Sequence, residues 1–306
     1  MDELFGFEQI RESLLKNFND NKLHHGLLFL GNKGIGKSSF AFDFARYIIK
    51  KSSDQKQQHK DSNFNSHPDL LIIQKDEKKR DITVDAVREI NQFLSLTSAI
   101  SKHRIVIIDA IDDLNKNSSN AILKILEEPP KNVFLLLINH NQAKLLDTIK
   151  SRCQLIVVNN PKYEFFQNSM QQKISTIQES EIRLLSQISN NSIGLALKMH
   201  NHNVVNLYAE IQKVILEKND KNIIVFAKKI SLHDEMWDIF EKIIFFYFYN
   251  LLNTSSKNSC EENKNILLNK IFIILDKVNY LISNTKTLNL DRSQSIINIF
   301  NIIKNV

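Results

Sequence analysis

The chain has little cysteine. Cys153 and Cys260 are its only two and lie far apart. That excludes a disulfide framework and a four-cysteine zinc site, and makes a reduced cytoplasm the expected setting. There is no long hydrophobic run. The most apolar stretch, Ile243–Leu252, continues uncharged only as far as Ser256, 14 residues in all, where a spanning helix needs ~20. Charged residues at helical spacing precede it, so it reads as a core or interface helix, and no membrane partner is expected. The start, "MDELFGFEQIRE", is acidic and lacks an apolar core, so no signal peptide is expected. Neither sign of charge dominates: 40 basic against 34 acidic residues leave a net +6. An excess this small is compatible with a nucleic-acid complex but does not establish one. Aromatic and basic residues are not interleaved as a single-strand binding surface would need.

Glycine is also scarce, and its placement is informative. Three of the six glycines in 306 residues, Gly31, Gly34 and Gly36, fall within "GNKGIGKS" (31–38). The stretch fits G-x-x-x-x-G-K-[ST] at every fixed position. It follows a short apolar run, "LHHGLLFLG" (23–31), and precedes "KSSFAFDFARYIIKK" (37–51), whose apolar residues recur at helical period. A glycine loop between a strand and a helix is the context in which this motif binds phosphate. Glycines let the backbone wrap closely, and N–H groups at a helix start attract anionic oxygens. Lys37 would place a charge on the β- and γ-phosphates. It is expected to be largely solvated without ligand. Ser38 would enter an Mg²⁺ shell, and Ser39 completes the nucleotide-binding set.

Further strands are predicted at 69–74, 103–110, 132–139 and 154–159, helices at 82–96 and 117–130, and a helix and turn at 142–153. Residues 51–66 read as an exposed loop. Strands that are continuous apolar runs, alternating with helices, predict an α/β fold with a parallel sheet covered on both faces. From 163 to 306 the pattern is helical. Asp109, ending the strand in "RIVIIDAIDDL" (104–114), is the expected second Mg²⁺ ligand. The next residue, Ala110, has no proton acceptor. Asp112 and Asp113 lie past the strand end and are expected to point elsewhere. The loop is therefore expected to bind nucleotide without the base that hydrolysis needs.

Several segments together, "GNKGIGKS", "HPDLLII", "ITVDAVREI", "RIVIIDAIDDLNKNSSNAILKILEEPPKNVFLLLI", "LLDTIKSRCQ" and "LNLDRSQ", resemble the clamp-loader branch of AAA+ proteins. Alanine after the strand-end aspartate resembles its delta-prime family, from bacterial DNA polymerase III, rather than the hydrolysing gamma/tau family. The likeness is dense over 1–160. Beyond that only "LNLDRSQ" and the helical character carry it. It implies an AAA+ P-loop sheet domain (1–160), a small helical lid (161–204) and an all-α collar (205–306) joining five subunits in a hetero-pentameric ring. The implied partners are gamma/tau-like ATPase and delta-like subunits and, through the complex, the sliding clamp and primed DNA. The implied cofactor is ATP or ADP with Mg²⁺ at Ser38 and Asp109. Many relatives carry a four-cysteine zinc module in the loop after the first helix. Residues 51–66 contain no cysteine, so no zinc is expected.

The resemblance also implies an arginine finger, Arg152, presented in trans to a neighbour's nucleotide. By the residues alone it could equally cap the turn before the last strand. Asn139, ending the fourth strand, resembles a polar sensor position and could bind phosphate or water, or be an ordinary strand-end asparagine. Gly194 in "NSIGLAL" (191–197) stands where the lid of relatives holds a second sensor arginine. His24 and His25 read as structural. The competing readings are a self-sufficient P-loop ATPase or kinase, a gamma/tau-like subunit, and a nucleic-acid-binding protein with a vestigial nucleotide site.

Overall fold

The computed structural model describes residues 7–53, 64–76, 81–141, 143, 145–257 and 261–304. Cys260 and most of the 51–66 loop lie outside the described residues. Contacts divide the chain into two units: residues up to Phe165 together with Ser192–Gly194, and Phe166–Asn191 with Leu195 onward.

The first unit is the expected α/β structure. In chain order it runs α1 (Glu8–Asn19), β1 (Gly26–Leu30), α2 (Lys37–Ser52), β2 (Leu70–Gln74), α3 (Val84–Ser95), β3 (Arg104–Asp109), α4 (Lys116–Glu127), β4 (Val133–Asn139), α5 (Asp147–Lys150) and β5 (Gln154–Val157). The five strands are all parallel, in the order β2-β3-β4-β1-β5. The inner strands β1 and β4 are buried at every residue, and β3 at all but Asp109. This is why they read as unbroken apolar runs rather than as alternation. Successive side chains point to opposite faces. Leu27, Phe29, Ile105, Ile107, Leu136 and Ile138 therefore pack in one core with α2, while Leu28, Leu30, Val106, Ile108, Leu135 and Leu137 pack in another with α3 and α4. Helix α1 was not anticipated. Its apolar residues Ile10, Leu14, Leu15 and Phe18 do recur at helical spacing; Leu14 is buried and the other three pack against the core partly buried.

Helix α4 has sequence-encoded ends. The Asn115 side chain accepts from the Ser118 N–H and caps the start. At the other end Glu128 precedes Pro129, which disfavours helical backbone there and stops the helix at Glu127.

The second unit is helical. Its elements are α6 (Tyr163–Lys173), α7 (Glu179–Ser189), α8 (Ile193–Asn201), α9 (Val204–Glu217), α10 (Asp220–Ser231), α11 (Asp234–Lys257), α12 (Glu261–Leu288) and α13 (Arg292–Ile303), with the first turns of α6 and α8 assigned to the sheet unit. Phe226, Trp237, Phe240 and Phe300 form an aromatic cluster joining α10, α11 and α13. Ile243–Leu252 lies within α11, and Ile243, Ile244, Phe246 and Phe248 are buried. Among the described residues, no helix is long and apolar enough to cross a membrane.

Candidate nucleotide site and arginine turn

The strand register brings the predicted residues to one edge of the sheet. Leu30 pairs with Asn139 and with Val157, Gln74 with Asp109, and Asp109 with Ile138. Gly31, Asp109 and Asn139 therefore all stand at the carboxyl ends of their strands, where ligands of parallel α/β sheets bind. From Gly31 the chain turns through the loop into α2. Gly34 and Gly36 have φ of 84° and 97°, the left-handed region that only glycine enters at little cost. Gly31 has φ 155°, and a Cβ there would lie 2.4 Å from the Val158 carbonyl oxygen.

Lys37 corrects the sequence reading. It is 2% exposed rather than solvated. Its Nζ donates to the carbonyl oxygens of Gly31 (2.7 Å) and Asn32 (2.6 Å), closing the loop over its own side chain. Burial pulls its amine down to about 8, against the opposing pull of Asp109 and Asp112.

Asp109 is held by donors. His140 Nε2 lies 3.3 Å from Asp109 Oδ1, Gln74 Nε2 donates to Oδ2 at 3.5 Å, and the Ser38 hydroxyl donates as well. Burial pushes the Asp109 carboxyl up. The hydrogen bonds from His140, Ser38 and Gln74 and the charge of His140 outweigh it and hold the carboxyl below its usual value.

Asp112 is the second correction. It does not point away: its Oδ1 accepts from the His140 backbone N–H at 3.0 Å and from Asn139 Nδ2 at 3.5 Å, and it lies near enough to Lys37 to favour the charged amine. Asn139 is 0% exposed and its Oδ1 has no hydrogen-bond partner among the described residues. Ala110 is buried at 1% exposure.

These residues suit a magnesium nucleotide. The Ser38 hydroxyl and the Asp109 carboxylate adjoin, as two oxygens entering one Mg²⁺ shell must. Lys37 has two of its three N–H donors committed. The orphaned Asn139 oxygen lies at the same edge. Ser39 is the next residue of α2.

Gly194 also belongs here. Its N–H donates to the Gly34 carbonyl oxygen at 2.9 Å, and the Ser192 hydroxyl donates to the Lys33 carbonyl oxygen at 2.9 Å. A Cβ on Gly194 would stand 2.8 Å from that Gly34 oxygen. The lack of a side chain at this position is what allows the close approach.

Arg152 stands apart from the loop, in the turn between α5 and β5. Its Nη2 lies 2.6 Å from Glu127 Oε1 at the end of α4, and its Nη1 donates to the Thr148 carbonyl oxygen (2.9 Å) and Ser151 Oγ (3.2 Å). Cys153, next to it, packs under the sheet, and burial pushes its thiol up to about 12. His25 accounts for itself structurally, its Nε2 lying 3.1 Å from the Leu126 carbonyl oxygen. Among the described residues, no cluster of three or more His, Cys, Asp or Glu could hold a metal by itself. Sequence reasoning missed His140, Gln74 and Glu127. The first two become visible only when the strand register is known, and the third only when α4 and the arginine turn meet.

The chain is similar to known proteins. A family model described as DNA polymerase III, delta subunit, matches residues 6–162. The delta-prime subunit of Pseudomonas aeruginosa is 33% identical over 135 residues, 42% of this chain and 41% of that protein. The delta-prime subunit of Escherichia coli is 26% identical over 197 residues, 61% of this chain and 58% of that protein. The chain thus spans about half the length of these two relatives. The fold is shared with a DNA polymerase III gamma subunit-related protein of Thermotoga maritima, at TM-score 0.53 and 21% identity over 96% of this chain and 98% of that one. A family model that covers more than half of the chain, including the glycine loop, Asp109, Asn139 and the arginine turn, places it: the chain belongs to the DNA polymerase III delta-subunit family, and the Pseudomonas aeruginosa and Escherichia coli relatives are its delta-prime subunits.

Proposed function

We propose that this chain is the delta-prime-like subunit of a bacterial replicative clamp loader, in the cytoplasm at the replisome. It binds ATP or ADP with Mg²⁺ through Gly31, Gly34, Gly36, Lys37, Ser38, Ser39, Asp109 and Asn139 without hydrolysing it efficiently. It supplies Arg152 in trans to a gamma/tau-like ATPase neighbour. With that subunit and a delta-like one it forms a hetero-pentameric ring that loads the sliding clamp on primed DNA. Helices within 161–204 serve as the lid, and those of 205–306 as the collar. In support of the collar role, Ile266, Ile273 and Tyr280 on α12 recur every second turn and are 60%, 56% and 68% exposed, an apolar line suited to another subunit.

One observation carries the reading. The loop keeps its shape and its lysine, while the residue after Asp109 is a buried alanine that can take no proton from water. Steady-state ATP turnover, alone and with the partner subunits, clamp and primed DNA, tests it. The isolated chain should bind nucleotide and turn over negligibly, and omitting it from the mixture should lower turnover by the complex. Isolated turnover near ~1 s⁻¹, the low end of common enzyme rates, would overturn it. A self-sufficient P-loop ATPase is the second reading, and Asp112 favours it, because its carboxylate faces the end of β4 beside the lysine.

A further inference from the structure

We propose that Glu127 is a positioning residue for Arg152: it grips one edge of the guanidinium and holds the fork ready for a neighbouring subunit's nucleotide. The proposal rests on the trans-acting reading of Arg152 given above.

The contact is short and charge-assisted, 2.6 Å from Nη2 to Glu127 Oε1. The opposite nitrogen, Nη1, is steered by the Thr148 carbonyl oxygen and by Ser151 Oγ. A guanidinium has five N–H donors in a rigid plane. Two contacts through Nη1 and one through Nη2 fix that plane and leave the Nε–H and one Nη2 N–H for phosphate oxygens. A long arginine side chain without such a grip is spread over many rotamers, and few of these aim the fork.

Glu127 is well mounted for this task. It is the last residue of α4, and the two prolines that follow prevent the helix from extending. The carbonyl of the preceding residue, Leu126, meets the His25 ring at the start of β1. At Gly26 an added Cβ would stand 3.0 Å from the Leu126 side chain and 3.5 Å from the Arg152 carbonyl oxygen. The end of α4 and the arginine turn are thus packed on the same glycine, so the carboxylate and the guanidinium are carried on abutting elements.

Exposure decides between a stabilising role and an orienting one. The two side chains are 48% and 34% exposed. Ion pairs that open to solvent contribute little to stability, so this one is not a fold staple. For the same reason a phosphate can draw the arginine forward without a large opposing force.

The test uses the assembled clamp loader, with gamma/tau-like subunits whose own finger arginines are replaced by alanine, so that the site served by Arg152 dominates turnover. ATP turnover is measured with clamp and primed DNA for wild type, Glu127→Gln, Glu127→Asp, Arg152→Ala and the double variant Glu127→Gln with Arg152→Ala. Glu127→Gln keeps the shape and removes the charge. It should lower kcat about 10-fold, less than the ~10²-fold that a 1 Å misplacement can cost, with KM for ATP unchanged. Glu127→Asp should recover part of the loss. In the Arg152→Ala background, Glu127→Gln should have no further effect. If Arg152→Ala silences the site while Glu127→Gln matches or exceeds wild type, or lowers kcat by the same factor in both backgrounds, the positioning role is wrong and the finger stands. If Arg152→Ala itself changes nothing, the finger reading fails and takes this proposal with it.

Discussion

Lys37 donates from Nζ to the carbonyl oxygen of Gly31 at 2.7 Å, joining the last turn of the phosphate loop to its first residue. The lysine is therefore a structural part of the loop before any phosphate arrives. Lys37→Ala removes two charge-assisted hydrogen bonds and strands the carbonyls of Gly31 and Asn32 in a buried place. Bonds to charged groups contribute about 1.5–3 kcal/mol each, and relief of the buried charge offsets part of that. A net loss of about 1–3 kcal/mol is expected in denaturant unfolding of the variant, with nucleotide binding abolished in calorimetry. Unchanged stability would mean that the lysine hangs free in solution.

Gly194 offers a test of opposite-signed effects. Alanine is favoured over glycine in a helix by about 1 kcal/mol. Here, however, the new methyl would stand 2.8 Å from a backbone oxygen of the phosphate loop, an atom that cannot swing aside. Overpacking of this kind costs about 1–3 kcal/mol, so the clash should win. Gly194→Ala should destabilise the protein and weaken nucleotide binding, and Gly194→Arg should do both more strongly rather than restore a phosphate contact. Tighter nucleotide binding by Gly194→Arg, measured by calorimetry, would show that the position still works as a sensor.

The sheet was legible in the sequence because its inner strands are buried on both faces and so appear as runs such as "RIVIID" and "VFLLLIN". The phosphate loop was legible because its glycines are needed for positive φ and are rare elsewhere. What stayed hidden depends on register and on packing between distant segments. Asp112 seemed to lie beyond the site because it follows the strand end, yet the turn Ile111–Asp113 folds it back against the end of β4. His140 was one histidine among nine until the pairing of β3 with β4 set it beside Asp109. Lys37 was expected in solvent because the motif describes its role with ligand bound, not where the side chain rests.

Cys153 contributes a pH dependence opposite in sign to that of Lys37, whose lowered amine favours the folded state as pH rises above about 8. Burial raises the Cys153 thiol to about 12, so the folded protein holds the proton where the unfolded chain gives it up. The sign follows from linkage. The contribution to stability is fully present below the ordinary thiol value and is lost as pH rises from there through about 12. The same shift leaves little thiolate at neutral pH. In a Cys260→Ser background, alkylation of the native protein at pH 8 should be at least ~10²-fold slower than after unfolding, since thiolate is the reacting form. Equal rates in the two states would place Cys153 in solvent.

Arg152 provides the sharpest test of function. Among the described residues, its side chain makes polar contacts with Glu127, Thr148 and Ser151, and the ion pair with Glu127 is partly exposed. Losing such a pair costs at most about 1 kcal/mol, so Arg152→Ala should fold normally, bind nucleotide through its own loop and enter the ring. The consequence should appear at the neighbour's site alone. A finger contributes ~10³–10⁵ in rate where it acts, so that one site should fall almost silent, while sites served by other subunits continue and total turnover drops only in part. Arg152→Lys should recover little. A lysine ammonium keeps the charge but cannot hold Glu127 and the Thr148 carbonyl from one rigid plane and still offer a second edge to phosphate. The measurement is DNA- and clamp-stimulated ATP turnover, with clamp loading followed in parallel, in complexes reconstituted with each variant and checked for full assembly. If both variants hydrolyse ATP and load clamps as wild type does, the arginine caps its turn and nothing more.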